Sequence, residues 1–206
     1  MKIKKMSKLL CIALVTVSVL FSSCGGTTNS DSKTNIPKEI DYQILGNEED
    51  LKNVYDVAVK KMGDDIRFVE KLDISISRPS ERGNNGDDAL QILIQQIHHT
   101  NRNKLVEYSY WSSEGKWDTP KTLTIDLIGG DAESFRLEDN LMDISGLTFE
   151  KLNKIVQDAY KKYKSDKYAY QYISSIWIEN DEITIFVRGK LEANELIKYE
   201  THKVKL

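Results

Sequence analysis

Two amphipathic segments of the sequence, 101 residues apart, share one pattern of apolar residues and constrain the fold more than any other feature. Spacings of three and four residues place these side chains on one face of a helix. The first face consists of Leu51, Val54, Tyr55, Ala58 and Met62. The second consists of Leu152, Ile155, Val156, Ala159 and Tyr163. Each segment ends in a lysine pair, so the pattern predicts an internal duplication; the alternative is that any two amphipathic helices share this spacing.

Residues that favour helix ends border both segments. Asn47 and Thr148 are the predicted N-caps, because a short polar side chain there accepts hydrogen bonds from free backbone N–H groups. Gly63 follows the first segment, and glycine takes the left-handed conformation that ends many helices. The two segments are therefore predicted to be helices with defined ends.

Alternating apolar and polar residues follow each helix and predict antiparallel strands. After the first helix, the candidate strands are Leu72–Ser77, Leu90–His98, Leu105–Trp111 and Lys121–Ile128, with a turn-rich loop at Arg78–Asp87. After the second helix, they are Tyr168–Ile178, Glu182–Arg188 and Leu196–Lys205, with a tight hairpin turn at Asn180-Asp181. Glu39–Leu45 is a further candidate strand, and Leu90–His98 also fits a helical period.

These elements predict an α+β fold made of two helix-plus-antiparallel-sheet units. The first unit, αββββ, spans residues 39–135, and the second, αβββ, spans residues 136–206. Each helix has one apolar stripe and each strand one apolar face, so a helix packed across a sheet buries both. The sequence leaves open whether the two units share one sheet.

The first 23 residues have the three parts of a secretory signal peptide. Residues 2–8 are basic, residues 9–21 are an unbroken run of apolar and small residues, and Ser22 and Ser23 precede Cys24. The apolar run is shorter than the roughly 20 residues that a membrane-spanning helix needs. Residues 24–38 are small and polar and predict a flexible tether.

The run Leu20-Phe21-Ser22-Ser23-Cys24-Gly25 resembles the lipobox of bacterial lipoproteins, with Phe21 where an aliphatic residue is more usual. This resemblance covers residues 1–25 alone. It implies cleavage before Cys24, diacylglycerol on its thiol and an acyl chain on its new amine. Two or more acyl chains hold a protein stably on a membrane. We therefore expect a cell-envelope protein anchored to a membrane, on the outer membrane or the periplasmic face, with the leaflet left open.

Charge and cysteine content exclude several activities. The four lysines in residues 1–23 are the only charged side chains there, so cleavage changes the net charge from −3 to about −7. An acidic protein repels phosphate backbones, and we expect no nucleic-acid partner. The second cysteine, Cys11, lies in the leader, so no free thiol is left for catalysis or metal binding.

No motif predicts a catalytic site, a metal site or a cofactor. His98 and His99 are adjacent in a predicted strand, so their side chains are expected on opposite faces. Ser145 precedes a helix cap and is predicted to form a turn. Asn84–Asp88 resembles a calcium loop in composition but lacks its ligand spacing.

Aromatic residues are the remaining candidates for a contact surface. Tyr168, Tyr170 and Tyr172 alternate along one strand and are predicted to share a face, while Trp111 and Trp117 lie at a strand end and beyond a turn. Rigid amphipathic aromatics favour contact surfaces. The alternative is that tyrosine and tryptophan favour strands and cover a core.

The leading functional hypothesis is a non-catalytic envelope module that presents a sheet face to a protein or a glycan. One alternative is an envelope hydrolase with two dispersed carboxylates, which would leave no local motif. The other is an inhibitor or a periplasmic chaperone, an analogy at the level of fold alone.

Overall fold

The computed structural model describes residues 35–124 and 136–206, which form an α+β fold of two helices and one antiparallel sheet of eight strands. The helices are α1 (Glu48–Met62) and α2 (Phe149–Tyr163). The strands before α2 are β1 (Val69–Ser77), β2 (Ala89–His98), β3 (Asn101–Trp111), β4 (Lys116–Trp117) and β5 (Lys121–Leu123). Those after it are β6 (Tyr168–Glu179), β7 (Glu182–Leu191) and β8 (Ile197–Lys205).

The two predicted units share one continuous sheet, with the strand order β4-β3-β2-β1-β6-β7-β8 and β5 paired with β3. The joint is the antiparallel pairing of β1 with β6, which runs from Lys71–Glu179 to Ser75–Ser175. Each helix precedes its strands along the chain, as predicted, but the described part of the first unit has five strands and not four, because the short strand β4 was not predicted. The duplication and the boundary between residues 135 and 136 stay predictions, since strand order does not establish descent from one unit.

Both helices begin at their predicted caps. The Asn47 side-chain oxygen accepts hydrogen bonds from the backbone N–H groups of Glu49 and Asp50, at 3.0 and 3.1 Å. The Thr148 hydroxyl accepts one from the backbone N–H of Lys151, at 3.4 Å. These side chains satisfy donors that have no partner inside the helix, which explains why each helix begins where the sequence indicates.

One row of isoleucines forms the centre of the core. Ile74 of β1 pairs with Ile92 of β2 and Ile176 of β6, and Ile176 pairs with Ile185 of β7. Residues directly opposite each other in a sheet share a face, and all four of these side chains are fully buried. They lie in one cluster with the apolar stripes of α1 and α2, so both helices cover the same face.

The hairpin between β6 and β7 confirms the predicted turn. Asn180 and Asp181 have φ angles of +53° and +56°, the left-handed pair that a two-residue type I′ turn requires. The right-handed twist of the strands matches this turn, which fixes Glu179 opposite Glu182 and Trp177 opposite Thr184.

Three segments whose predicted structure was uncertain or irregular can now be assigned. Glu39–Leu45 is not a strand, so that prediction is wrong: these residues form turns whose apolar side chains, Ile44 and Leu45, are buried against the core. Leu90–His98 is a strand and not a helix. The loop Arg78–Asp87 contains a short 3-10 helix at Pro79–Arg82.

Candidate functional site

The sheet has a second face, called here the outer face, on the side opposite α1 and α2. It carries the residues that alternate with the core isoleucines. One row across the strands consists of Ser109, Leu93, Asp73, Trp177, Thr184 and Lys203. The 3-10 helix Leu137–Asn140 covers one corner of this face, above Ile97 and Leu105. In the described ranges, neither α-helix covers the rest, so the half of the sheet made of β6, β7 and β8 presents polar and aromatic side chains outward.

An aromatic pair forms the floor of a groove on this outer face. The rings of Trp177 and Phe186 lie 4.6 Å apart at 58°, and the Lys71 ammonium lies 5.0 Å from the indole centroid. The groove has a volume of about 460 Å³. Its lining, in addition to that pair, consists of Glu179, Asn180, Asp181, Glu182, Thr184, Thr201, Lys203 and Lys205. It therefore combines an apolar floor with hydrogen-bond donors and acceptors on its rim.

Acidic and basic side chains alternate around the groove. Lys203 donates to Glu182 at 2.6 Å, and this hydrogen bond holds the pKa of Glu182 below its ordinary value. Lys71 lies 3.6 Å from Glu179 and 3.9 Å from Asp73. Burial raises the pKa of Asp73, although Ser75, Lys71 and Trp177 oppose that shift. The rim is therefore close to neutral in sum.

The structure places the predicted tyrosines beside a different feature. Tyr172 is fully buried, and Tyr168 is 9% exposed because its ring covers Gly189, where a Cβ would lie 2.7 Å away. Tyr170 is half-buried and donates to Glu81 at 2.8 Å. The predicted shared face is wrong for Tyr168, because the register shift between Tyr168 and Tyr170 places Tyr168 opposite Leu191, whereas Tyr170 and Tyr172 lie opposite Lys190 and Arg188 on the other face. Tyr168 and Tyr172 are both covered and do not form a bare surface.

The two predicted tryptophans lie apart from each other and from the groove. Trp111 is half-buried on the outer face, in the same row as Phe186. Trp117 packs on Tyr110, with a centroid distance of 5.4 Å, and the Lys61 ammonium lies 5.2 Å from its ring. The predicted contact surface at Trp111 and Trp117 stays a prediction. The lipidation residue, Cys24, lies outside the described residues.

A buried cluster of charges fills the space between the loop after β1 and the strands β6 and β7. Its members, called here the Glu81 cluster, are Arg78, Glu81, Asp88, Tyr170, Tyr172 and Arg188. Glu81 accepts from Arg78 and from Arg188, both at 2.6 Å, and its side chain is 6% exposed. Asp88 accepts from Arg78 at 2.9 Å. Two guanidinium groups thus face two carboxylates, so the buried charges balance.

The tyrosines complete this cluster. Tyr172 lies within 3.4 Å of both carboxylate oxygens of Glu81, and burial raises the pKa of its phenol. The Arg78 guanidinium lies over the ring of Tyr42, at 4.3 Å from its centroid. The cluster therefore ties the N-terminal turns, the loop after β1 and the strand β6 together.

The histidine prediction is wrong in one respect. His98 and His99 do not point to opposite faces: their rings stack, with centroids 5.0 Å apart and planes at 9°. The reason is that β2 ends at His98 and His99 already lies in the turn. In residues 35–124 and 136–206, no three His, Cys, Asp or Glu side chains form a group that could hold a metal ion. The turn at Ser145 is confirmed, with its backbone N–H donating to Asp143 at 2.9 Å.

Sequence reasoning missed both the groove and the Glu81 cluster. The turn at Asn180-Asp181 sets the register of β6 and β7, and the isoleucines on either side of Trp177 set which side chains face the core. Together they could have predicted that Trp177 and Phe186 face outward. The burial of Glu81 had no such signal, because its loop is rich in glycine, asparagine and charged residues.

Comparisons with known proteins give little further information. No family model matches the chain, and no curated protein matches it. Among solved structures, the chain is similar to a candidate lipoprotein from Clostridium difficile 630, with 12% identity and a TM-score of 0.36. The alignment covers 80% of this chain and 97% of that one. A TM-score this low does not establish a common fold. Neither described helix, α1 or α2, is long and apolar enough to span a membrane.

Removal of the central charge of the Glu81 cluster should destabilise the fold. Glu81→Gln leaves the buried guanidinium of Arg188 without its carboxylate, and breaking a buried pair in this way costs about 3–5 kcal/mol. Asp56→Asn is the control, because it removes an exposed pair with Lys52 that contributes about 0.5 kcal/mol at most. Urea unfolding followed by circular dichroism measures both. Equal losses for the two variants would contradict the assigned role of Glu81.

Asp73 should make stability depend on pH in a defined direction. Burial raises its pKa above the ordinary 3.8, so the folded protein binds this proton more tightly than the unfolded chain does. The stability that Asp73 contributes is therefore full below about pH 3.8 and is lost as the pH rises through the folded-state pKa. The Tm of Asp73→Asn minus the Tm of the parent should accordingly increase as the pH rises from about 3 to about 7. A Tm difference that falls over this range in thermal melts would show the opposite sign.

Proposed function

We propose that this protein is a lipid-anchored component of the bacterial cell envelope whose α+β domain binds a glycan chain in the outer-face groove. The anchor part rests on the sequence, where a basic segment and an apolar run precede Ser23 and Cys24. The binding part rests on one observation, the aromatic floor of Trp177 and Phe186 beneath a polar rim.

The chemistry of the groove suits a sugar. The C–H face of a sugar ring is apolar and packs against an aromatic side chain, while its hydroxyls both donate and accept hydrogen bonds. Carboxylates at Glu179 and Glu182 supply acceptors, and Lys203 and Lys205 supply donors. Because these charges nearly balance, the groove favours a neutral or weakly charged chain over a strongly charged one.

The hydrolase alternative is less well supported by these residues. Glu179 and Glu182 face each other across the hairpin and line the groove. A glycosidase needs one of its two carboxyl groups to hold a proton, which requires a raised pKa. Lys203 instead lowers the pKa of Glu182, and Asp73, whose pKa burial raises, is not among the residues that line the groove. We therefore propose a binding module, not a catalytic one; the inhibitor and chaperone alternatives stay predictions without a supporting contact.

The binding proposal is tested by titrating soluble peptidoglycan fragments into the protein and measuring the heat of binding by isothermal titration calorimetry, a readout that does not depend on the tryptophans. Trp177→Ala should weaken binding about tenfold or more, because the central aromatic of a contact surface contributes most of its energy. Trp111→Ala is the matched control, since Trp111 is also half-buried on the outer face but outside the groove. Lys203→Glu changes the rim at an exposed position and should also weaken binding.

The anchor is tested by fractionating bacterial cells that express the full chain. The parent should be in the membrane fraction, and Cys24→Ser should abolish its acylation.

Two results would contradict the proposal. Equal binding of the fragments by the parent and by Trp177→Ala, with both proteins shown to be folded by circular dichroism, would contradict the groove. An intact leader, or an unmodified thiol in the mass spectrum, would contradict the anchor.

A further inference from the structure

The last strand of the sheet, β8, leaves half of its backbone groups free of strand partners. Leu206 donates its backbone N–H to Asp181 at 3.0 Å, and Leu191 donates to the Leu196 carbonyl at 2.9 Å. Even-numbered residues of this segment therefore point their backbone groups at β7. Because these groups alternate in direction along an antiparallel pair, Ile197, Tyr199 and Thr201 point theirs away from the sheet. In the described residues β8 pairs with β7 alone.

Large apolar side chains are exposed along the same segment. Tyr199 is 55% exposed and Leu196 is 53% exposed. Tyr199 is nevertheless held in place, because the Arg188 guanidinium lies 5.1 Å from its ring centroid and is itself bound by Glu81. An exposed aromatic on a fixed support next to free backbone groups is the arrangement that strand addition uses.

The charges of β8 select one occupant and one register. Two copies of β8 can pair antiparallel about a twofold axis, and each choice of central residue sets different opposite residues. An axis at Tyr199 places Lys198 opposite Glu200 of the second copy, and Glu200 opposite Lys198 of the second copy. An axis at Glu200 would oppose two carboxylates, which is unfavourable. An axis at Thr201 would place Glu200 opposite His202 and Lys198 opposite Val204, so it would form no lysine–glutamate pair.

We propose that the protein forms a twofold dimer in which β8 pairs with β8 of a second copy, with Tyr199 opposite Tyr199. The pairing joins the two sheets edge to edge and covers both tyrosines. The Thr201 carbonyl accepts a hydrogen bond from the Tyr163 hydroxyl at 2.6 Å. Its second lone pair can accept another from the backbone N–H of Ile197 of the second copy. This interface does not depend on the ligand of the groove.

Cysteine cross-linking of the full chain in membranes tests the register. Tyr199→Cys should give a disulfide-linked dimer on mild oxidation, because opposite residues in a hydrogen-bonded pair have Cα atoms about 5.5 Å apart. Lys198→Cys should not, since two copies of that residue lie diagonally across the pair. The parent chain, in which Cys24 is the one cysteine left after cleavage, sets the background. A dimer from Thr201→Cys that exceeds the one from Tyr199→Cys would overturn the register.

A charge swap tests the ion pairs without new cysteines. Lys198→Glu should raise the dimer dissociation constant about tenfold, because it places like charges opposite each other twice. The double variant Lys198→Glu with Glu200→Lys should restore the parent value. Lys205→Glu makes the same change in net charge outside the proposed pairs and should have little effect. Light scattering of the detergent-solubilised full chain measures the mass; a monomeric parent, or a double variant as weak as Lys198→Glu, would refute the dimer.

Discussion

The antiparallel pairing of β1 with β6 is the contact on which the rest of the structure depends. It spans five residue pairs, from Lys71–Glu179 to Ser75–Ser175, and joins the strands before α2 to those after it. Without it each half would expose the edge of an apolar strand, which invites pairing with other chains. With it, Ile74 and Ile176 meet beneath both helices, and Asp73 and Trp177 meet on the outer face.

The end of that pairing explains the Glu81 cluster. Beyond Ser75 the ladder stops, and the pairing of β6 with β7 shifts register between Ile173 and Ser175. The loop after β1 contacts β6 and β7 here, with Glu81 bound to Tyr170 and to Arg188. A buried ion pair of this kind contributes mainly by holding one geometry, because desolvation offsets much of its attraction. Here it fixes the support of Tyr199, so the interior of the sheet and its free edge are physically connected.

The sequence predicted the helices and turns that residues close together in the chain determine. It missed the features that depend on contacts between distant parts of the chain. The stripes of α1 and α2 and the turn at Asn180-Asp181 could be predicted because neighbours along the chain determine them. Glu39–Leu45 alternates like a strand, yet the burial of Ile44 and Leu45 in the core accompanies turns instead, so tertiary packing overrides the local pattern. Glu81 lies in a polar loop, and its burial depends on Arg188, 107 residues later in the chain.

Amide hydrogen exchange tests the single continuous sheet most directly. If β1 and β6 form its centre, the amides that are hydrogen-bonded between these two strands exchange last and at similar rates. The opening free energy obtained from these rates then equals the free energy of global unfolding. Exchange of the β1 and β6 amides at different rates, one set with each half of the chain, would show that the halves open independently and would contradict the account.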